Sequence, residues 1–304
     1  MTAPAIGVFL PTMTERGQTV ADVVAAARHA EDLGFESVWV VDQLVAGTGV
    51  PFVDSTVALS AVAGATNRIQ LAFGVLILPL RPVVWAAKQV ASLQHVSGDR
   101  VLLGVGVGGD RHERSWAAAG VPRRERGRRT DEALAVLRHL IAGKDVDVDG
   151  TLVQLAPGAT VPPIIVGGMA EAALRRAVLD ADGWFTLPLP PDELAPVAAQ
   201  LARVAEERGR PVPAITASTM VAIDGDPAMP DRDRLTRLLS DPDGIYGMPA
   251  ALVPDVLLTG GADTVAARIA ALGALGAERV VVTLAAGDWT RQAELLADAV
   301  TLLG

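Results

Sequence analysis

One hydrophobic pattern repeats along the whole chain. A short run rich in β-branched residues is followed by a loop that contains Gly, Pro or Asp, and then by an Ala- and Leu-rich stretch with apolar positions at helical spacing. We predict eight strands, at residues 6–10, 37–42, 69–77, 100–106, 163–167, 183–187, 215–223 and 279–284. Helices are predicted near residues 19–33, 54–66, 82–96, 126–142, 170–180, 192–208, 263–275 and 291–303.

This alternation of strands and helices favours a closed barrel. Parallel strands joined by a constant succession of right-handed crossovers bend a sheet until it closes on itself. The chain is therefore expected to form a single α/β domain over residues 1–304, a (β/α)8 TIM barrel with insertions. Because the active sites of such barrels lie at the C-terminal ends of the strands, functional residues are expected in the loops that follow the strands.

Two segments interrupt the regular alternation. Residues 145–155 alternate polar and apolar side chains around Asp149-Gly150, which predicts a β-hairpin inserted before the fifth strand and lying outside the barrel. Residues 224–259 are rich in Pro, Gly and Asp, with short helical stretches near 231–240 and 249–256. This long segment is interpreted either as a lid over the active site or as an oligomer contact or mobile loop.

Composition narrows the classes of function. Half of the residues are hydrophobic but only 4% are aromatic, so the core must consist of Ala, Val, Leu and Ile, as in parallel sheets covered by helices. The net charge of -9 argues against a nucleic-acid partner, which would require clustered Lys and Arg. The absence of cysteine excludes disulfides and thiolate nucleophiles, and the four histidines lack metal-site spacing, so no metal is expected.

Membrane insertion and secretion are not expected either. No uninterrupted apolar run reaches the roughly 18 residues that a membrane span requires. The apolar N-terminal segment is short, lacks a basic flank and is followed by a proline, unlike a signal peptide. A cytoplasmic protein that acts on a small molecule is the expectation.

Two glycine-rich strand ends are candidate phosphate sites. The fourth predicted strand ends in Leu-Gly-Val-Gly-Val-Gly-Gly, where Gly106 and Gly108 would leave backbone N–H groups open to a ligand. Gly167-Gly168-Met169 leads from the fifth strand directly into a helix, whose N-terminus favours a phosphate. In both places the alternative is a tight turn that needs glycine for its conformation.

The second and third strands carry the other candidate site residues. Asp42 and Gln43 follow the second strand and are predicted to face the barrel mouth, where catalytic residues lie. Asp42 is suited to orient a substrate, to accept a hydrogen bond from a cofactor or to transfer a proton, or else it caps the following loop. The lone Gly74 between Phe73 and Val75 predicts a bulge, or the close approach of a ligand ring.

Taken in order, these motifs resemble the luciferase-like monooxygenase superfamily, whose members use FMN or the deazaflavin coenzyme F420. The resemblance extends almost from end to end, through residues 6–10, 30–35, 80–82, 97–106, 129–134, 163–168, 182–184 and 259–265. It implies a tricyclic ring at the barrel mouth, packed on the third-strand bulge, and a phosphate tail held by the glycines after the fourth and fifth strands. It further implies a non-prolyl cis peptide bond at Gly74-Val75. The cofactor-binding residues so assigned are Phe9, Asp42, Phe73, Gly74, Val75, Gly106, Gly108, Gly167, Gly168 and Met169.

One position departs from the family pattern. Deazaflavin-dependent relatives commonly have Asp-His after the second strand, whereas this chain has Asp42-Gln43. Since a glutamine is neither a general acid nor a general base, the proton-transfer role is left to Asp42 or to a group of the substrate.

The resemblance implies an oxidoreductase. The leading hypothesis is an F420-dependent enzyme that transfers a hydride between the deazaflavin and a small organic substrate, with Asp42 and Gln43 as the catalytic candidates. An FMN-dependent monooxygenase and a cofactor-binding protein without turnover are the alternatives. The Ala- and Leu-rich helices would also allow a homodimer.

Overall fold

A computed structural model describes residues 3–109 and 113–304. The strands are β1 (Ala5–Phe9), β2 (Ser37–Val40), β3 (Gln70–Ile77), β4 (Val101–Gly106), β5 (Val146–Val148), β6 (Thr151–Val153), β7 (Ile164–Gly167), β8 (Gly183–Pro188), β9 (Ala214–Ile223), β10 (Leu257–Gly260) and β11 (Ala277–Leu284). The helices are α1 (Val23–Asp32), α2 (Ser55–Ala63), α3 (Val83–Ser97), α4 (Glu113–Ala118), α5 (Arg126–Ile141), α6 (Glu171–Asp180), α7 (Pro191–Glu207), α8 (Arg232–Ser240), α9 (Val253–Val256), α10 (Ala262–Ala274) and α11 (Trp289–Thr301).

The central sheet closes into a parallel barrel, which confirms the predicted (β/α)8 TIM barrel. The barrel strands follow one another in the order β1, β2, β3, β4, β7, β8, β9 and β11, and β11 pairs again with β1. Strand β10 extends the sheet by pairing in parallel with the last residues of β9. In this order β1 and β7 lie on opposite sides of the barrel, so the loops that follow them face each other across its mouth.

The predicted strands agree with the observed strands to within two residues at each end. The largest error concerns α1, which begins at Val23, four residues later than predicted. Asp22 explains this start, because its side chain accepts hydrogen bonds from the N–H groups of Val24 and Ala25 and so caps the helix. Neither α4 nor β10 is among the predicted elements.

The barrel interior is filled by aromatic rings. Trp39 stacks on Phe185, with ring centroids 5.1 Å apart, and Phe9 lies 6.4 Å from each of them. The indole N–H of Trp39 donates to Ser37 at 2.8 Å. A Cβ atom on Gly7 would lie only 2.5 Å from that nitrogen, so the small residue is needed for the indole to fit. These rings close the barrel below its mouth and form the floor of the candidate site.

The hairpin predicted before the fifth barrel strand is confirmed. Strands β5 and β6 pair antiparallel in a sheet of their own, outside the barrel. Asp149 and Gly150 both have positive φ, 52° and 80°, as a two-residue hairpin turn of this kind requires.

The segment 224–259 folds into α8, a 3-10 turn (Ala250–Leu252), α9 and β10, so both predicted helical stretches are present. Leu235 and Leu239 of α8 and Val253 of α9 pack with Met220 of β9. We call this group, completed by Ala222 and Ala285, the satellite core. It fixes the base of the insertion against β9 and the end of β11.

In the described parts of the chain, no helix combines the length and apolar character that crossing a membrane requires. The same residues contain no group of three or more His, Asp or Glu side chains arranged to hold a metal ion. His112 lies outside the described residues.

Glu31 fixes the segment that leads into β3, at the N-terminal end of the barrel strands, through hydrogen bonds to its backbone. Its carboxylate, at the end of α1, accepts hydrogen bonds from the backbone N–H groups of Asn67, Arg68 and Ile69 at 2.9, 2.6 and 2.9 Å. Burial raises the pKa of this carboxyl, but the three N–H donors outweigh burial, so the pKa of Glu31 lies below its ordinary value of 4.5. The charged form of Glu31 therefore stabilises the fold.

A Glu31→Gln variant is expected to lose about 2 kcal/mol of unfolding free energy at neutral pH, because charged hydrogen bonds are replaced by weaker ones. Since the pKa is lower in the folded than in the unfolded state, this contribution is complete above pH 4.5 and disappears as the pH falls through the folded-state pKa. Urea unfolding at a series of pH values should therefore show the gap between wild type and variant narrowing in acid. The exposed neighbour Asp32, changed to Asn, is the matched control, and a gap independent of pH would refute the role of the charge.

Candidate active site

A cleft of about 540 Å³ opens at the C-terminal ends of β1 and β11. Three segments form its walls, namely the ends of β1 and β2 with the loop after β1, the loop after β11, and the insertion that follows β9. The lining residues are 9–15, 18, 21 and 41 from the first segment, 283–289 from the second, and 228, 230, 234, 238, 245 and 246 from the insertion. Both the volume and the position suit a small-molecule site of a barrel enzyme.

The cleft combines apolar walls with a few charges. Leu10, Val41 and Trp289 provide apolar surface, and the indole N–H of Trp289 donates to the carbonyl of Phe9 at 2.9 Å, which fixes the ring. Three charged residues also line the cleft, Glu15, Arg234 and Asp288, and none of them forms an ion pair within residues 3–109 and 113–304. Asp288 caps α11 by accepting a hydrogen bond from Arg291 N at 2.8 Å, so Glu15 is the lining carboxylate that is not engaged as a helix cap. Such a surface suits an organic molecule with an apolar body and a small number of polar groups.

The predicted bulge in β3 lies next to this cleft. The pairing of β3 with β4 shifts register between Phe73 and Leu76, and the Gly74-Val75 peptide bond is cis, as the resemblance implied. A Cβ atom on Gly74 would lie 2.8 Å from the ring of Phe9 and 2.9 Å from that of Trp39. The glycine is therefore needed because two aromatic rings of the chain pack on it, and Phe9 connects the cleft to the bulge.

Phe73, predicted as a cofactor-binding residue, has its side chain in the main core rather than at the barrel mouth. Its side chain is 1% exposed and belongs to the main core between the barrel and the helices, whereas the preceding Ala72 belongs to the core inside the barrel. Successive side chains of a strand point to opposite faces, so Phe73 points outward.

Val75 occupies the space beside the glycines that end β4 and β7. A Cβ atom on Gly106 would lie 2.5 Å from Val75 Cγ2, and one on Gly167 would lie 3.0 Å from Val75 Cγ1. The sequence predicts that these glycines allow the approach of a ligand. On their side-chain face, the structure instead shows them making room for a valine of the same chain, which the bulge turns towards them.

A buried hydrogen-bond donor without a partner among the described residues lies near the adjacent ends of β4 and β7. Val105 pairs with Val166, so the two strand ends are adjacent. Trp116 of α4 packs over Gly108, where a Cβ atom would lie 2.7 Å from the indole ring, and Gly108 has a positive φ of 70°. Trp116 is 3% exposed, and its indole N–H has no hydrogen-bond partner among the described residues. A buried donor of this kind requires an acceptor that is not among the described residues, or it remains unsatisfied.

The start of α6 adds further donors on the same side of the mouth. This helix begins at Glu171 without a side-chain cap, so its first N–H groups are left for another acceptor. Gly168 precedes it with a φ of 125°, and its carbonyl accepts a hydrogen bond from Trp184 at 2.8 Å. Met169 is partly buried and packs on the main core. The uncapped start of α6 and the Trp116 indole N–H are each donors that an anionic group would satisfy.

Asp42 is a brace rather than a lining residue of the cleft. It is 5% exposed, and its carboxylate accepts hydrogen bonds from Ser55 Oγ at 2.8 Å, Ile77 N at 2.8 Å and Arg81 Nη2 at 3.0 Å. It thereby ties the loop after β2 to α2, to the end of β3 and to the turn that follows β3. This geometry gives Asp42 a positioning role.

Gln43, the other catalytic candidate, holds its own loop. Its side-chain amide donates to the carbonyl of Val45 at 2.8 Å. Of all the predicted site residues, only Phe9 lines the cleft. The sequence patterns do not indicate Glu15, Arg234 and Trp289 as site residues. Each lies in a segment that follows a barrel strand, in the loop after β1, in α8 of the insertion and at the start of α11, but such segments contain many polar residues.

Comparison with known proteins identifies the family. Residues 5–279 match the family model described as luciferase-like monooxygenase. The chain belongs to the luciferase-like monooxygenase family. Two uncharacterised relatives, from Mycobacterium bovis and Mycobacterium tuberculosis, are each 39% identical to it over 171 residues. These alignments cover 54% of this chain and 58% of each relative, so the chain spans less than two thirds of the curated relatives it matches.

Solved structures share the fold of this luciferase-like protein over nearly the whole chain. An F420-dependent secondary alcohol dehydrogenase, in complex with an F420-acetone adduct, has a TM-score of 0.80 at 18% identity, with all of both chains covered. The F420-dependent tetrahydromethanopterin reductase of Methanopyrus kandleri has a TM-score of 0.76 at 19% identity and the same coverage. The oxygenating constituent of 3,6-diketocamphane monooxygenase from Pseudomonas putida, in complex with FMN, has a TM-score of 0.73 at 16% identity, covering 99% of this chain and 97% of that one.

Proposed function

We propose that this member of the luciferase-like monooxygenase family is an oxidoreductase that transfers a hydride between coenzyme F420 and a small organic substrate. The arrangement of the barrel mouth carries the proposal. A substrate-sized cleft lies at β1 and β11, and donors without partners among the described residues lie on the opposite side, at Trp116 and the start of α6. Phe9, one of the rings of the aromatic floor, and Val75, which packs on that floor, lie between these two regions and are partly buried.

Different residues would bind the cofactor tail, the cofactor ring and the substrate. Trp116 Nε1 and the first N–H groups of α6 would hold the anionic tail of the cofactor. Phe9 and Val75 would support its ring with apolar surface, and the cleft would hold the substrate. When bound, the deazaflavin supplies the hydride chemistry, while the protein contributes orientation and the exclusion of water.

Proton transfer needs a group other than the two catalytic candidates. Gln43 is neither an acid nor a base, and the Asp42 carboxylate is occupied by three hydrogen bonds. Glu15 is a carboxylate that lines the cleft without an ion pair in the described chain. We propose that its Oε atoms exchange the proton with the substrate.

An FMN-dependent monooxygenase is the second candidate function, supported by the shared fold of the diketocamphane enzyme. Titration calorimetry with F420 and with FMN distinguishes the two cofactors. F420 binding, followed by its reduction with a panel of secondary alcohols, supports hydride transfer. Binding of FMN alone, with oxygen consumption by the reduced complex, supports the monooxygenase. Cofactor binding without any turnover would indicate a carrier protein, and binding of neither cofactor would refute both assignments.

A Trp116→Phe variant is expected to bind F420 about tenfold more weakly, because it loses one hydrogen bond to an anionic group while keeping the aromatic ring. Titration calorimetry measures the affinity. Trp85→Phe, at an exposed indole on α3, is the matched control and should leave the affinity unchanged. Equal affinities of the Trp116→Phe variant and the wild type would place the cofactor tail elsewhere.

A further inference from the structure

The charges of the cleft lie on different walls. On the side of the barrel, Glu15 lies in the loop after β1 and Asp288 lies in the loop after β11. On the side of the insertion, the described lining residues contribute one charge, that of Arg234 in α8. Glu15 and Arg234 form no ion pair in the part of the chain that the structure describes, so the two charges are held apart. A molecule that fills the cleft would therefore contact a negative wall and a positive one.

Helix α8 places Arg234 on the cleft wall. Leu235 and Leu239 are four positions apart and are buried in the satellite core. Arg234 and Leu238 are also four positions apart, and both line the cleft. Since positions i and i+4 share one face of a helix, α8 presents one stripe to the satellite core and the neighbouring stripe to the cleft. Asp231 caps the helix by accepting a hydrogen bond from Arg234 N at 2.8 Å. The direction of Arg234 therefore follows from the packing of its own helix.

The guanidinium of Arg234 forms neither a hydrogen bond nor an ion pair within the described ranges 3–109 and 113–304. The same wall contains the apolar side chains of Leu238 and Ile245. A charge beside apolar surface attracts an opposite charge more strongly than a charge surrounded by water does. The planar guanidinium also matches a carboxylate, to which it donates two parallel hydrogen bonds. Arg234 is therefore suited to bind a carboxylate that enters the cleft.

We propose that Arg234 binds a carboxylate group of the substrate, so that the substrate is an organic acid carrying a secondary hydroxyl or a ketone. This inference rests on the proposed function, which places the substrate in the cleft. The carbon chain of the acid would pack on Leu10 and Trp289, which provide apolar surface between the charged walls. Arg234 would then select the substrate by its charge.

The carboxylate itself is unchanged in the reaction. In the direction of oxidation, the carbinol carbon gives up its hydrogen with the bonding electron pair, as a hydride, to the deazaflavin. The hydroxyl proton passes to Glu15 Oε, and a carbon–oxygen double bond forms. A hydroxy acid is thereby oxidised to a keto acid, while the cofactor is reduced by the same two electrons. Glu15 and Arg234 would hold the two functional groups of one substrate.

Three probes of equal carbon number and different charge test this assignment, namely hexanoate, hexanamide and hexylammonium. Ligand-observed NMR with the purified full chain gives the Kd of each probe. Hexanoate is expected to bind about fivefold more tightly than hexanamide, because hydrogen bonds between charged groups are stronger than neutral ones. Added NaCl should weaken the binding of hexanoate but not of hexanamide. Tighter binding of hexylammonium than of hexanoate would overturn the proposal, because the carboxylates of Glu15 and Asp288 would then determine the preference.

Substitutions in α8 locate the source of the preference. Arg234→Met keeps an unbranched apolar stem and is expected to abolish the advantage of hexanoate over hexanamide. Arg237→Met, at an exposed arginine of the same helix that does not line the cleft, is the matched control and should keep that advantage. Arg234→Glu should shift the preference to hexylammonium, and a glutamate three residues after the Asp231 cap suits the first turn of a helix. A preference for hexanoate that survives Arg234→Met would overturn the proposal.

Turnover distinguishes this inference from the proposed function on which it rests. Initial rates of F420 reduction are measured with 5-hydroxyhexanoate and with 2-hexanol. Arg234→Met should raise the KM for 5-hydroxyhexanoate about fivefold without lowering kcat, and should leave both constants for 2-hexanol unchanged. Equal kcat/KM values of the wild type for the two alcohols would overturn the substrate class while supporting hydride transfer to F420. Binding of hexanoate that depends on Arg234, without reduction of F420 by either alcohol, would support the carboxylate site and count against the proposed function.

Discussion

An Asp42→Ala variant is expected to lose about 3 kcal/mol of unfolding free energy. The carboxylate of Asp42 accepts hydrogen bonds from Ser55, Ile77 and Arg81, and Arg81 is mostly buried. Its removal leaves a guanidinium and a backbone N–H without these partners, and an unpaired buried group costs more than the intact pair contributes. Urea unfolding followed by circular dichroism measures the loss.

A second variant identifies the source of that loss. Adding Arg81→Met to Asp42→Ala removes the unpaired charge, so the double variant is expected to recover about 1–2 kcal/mol relative to Asp42→Ala alone. The same experiment separates the bracing role of Asp42 from the catalytic role expected from the sequence. An Asp42→Ala protein that is as stable as wild type and binds its cofactor, but has lost turnover, would contradict the brace and support catalysis.

The sequence predicts the place of Asp42 better than its role. A polar residue after an apolar run correctly indicates the end of a strand at the barrel mouth. The partners of Asp42 come from residues 55, 77 and 81, and nothing in the local pattern around residue 42 indicates that they meet there. Hydrogen bonds between segments that are distant in sequence depend on the closed barrel. The pattern of a short stretch of sequence does not predict them.

The same distinction between local and distant determinants applies to the fold. Apolar runs of four to ten residues mark the barrel strands, and Asp149-Gly150 marks the hairpin, because these signals are local. The cleft depends on how the insertion folds back over the barrel. The sequence around Arg234 and Tyr246 therefore does not predict that these residues line the cleft. Val75 shows the third case, in which the bulge interrupts the strand alternation and the direction of the side chain no longer follows from its position.

Val75 is the residue that this bulge redirects, and its contacts lead to a second prediction. A Gly106→Ala variant is expected to lose about 3 kcal/mol of unfolding free energy, because the new methyl group would lie 2.5 Å from Val75 Cγ2 in a well-packed barrel. A β-branched side chain has few alternative rotamers, so Val75 cannot move aside freely. Urea unfolding again measures the change.

Combining Gly106→Ala with Val75→Ala tests this explanation. The atoms of the described residues that lie within 4 Å of the added methyl group, apart from its chain neighbours, are Cγ2 and Cβ of Val75. The double variant should be about 1–2 kcal/mol more stable than the sum of the two single effects predicts. Gly104→Ala is the matched control, since its methyl group would overlap the backbone carbonyl of Phe73, which truncating Val75 does not relieve. Additive effects in the Gly106 pair would mean that the glycine serves something other than Val75, and the approach of a ligand to the end of β4 would then be the better explanation of why glycine occupies this position.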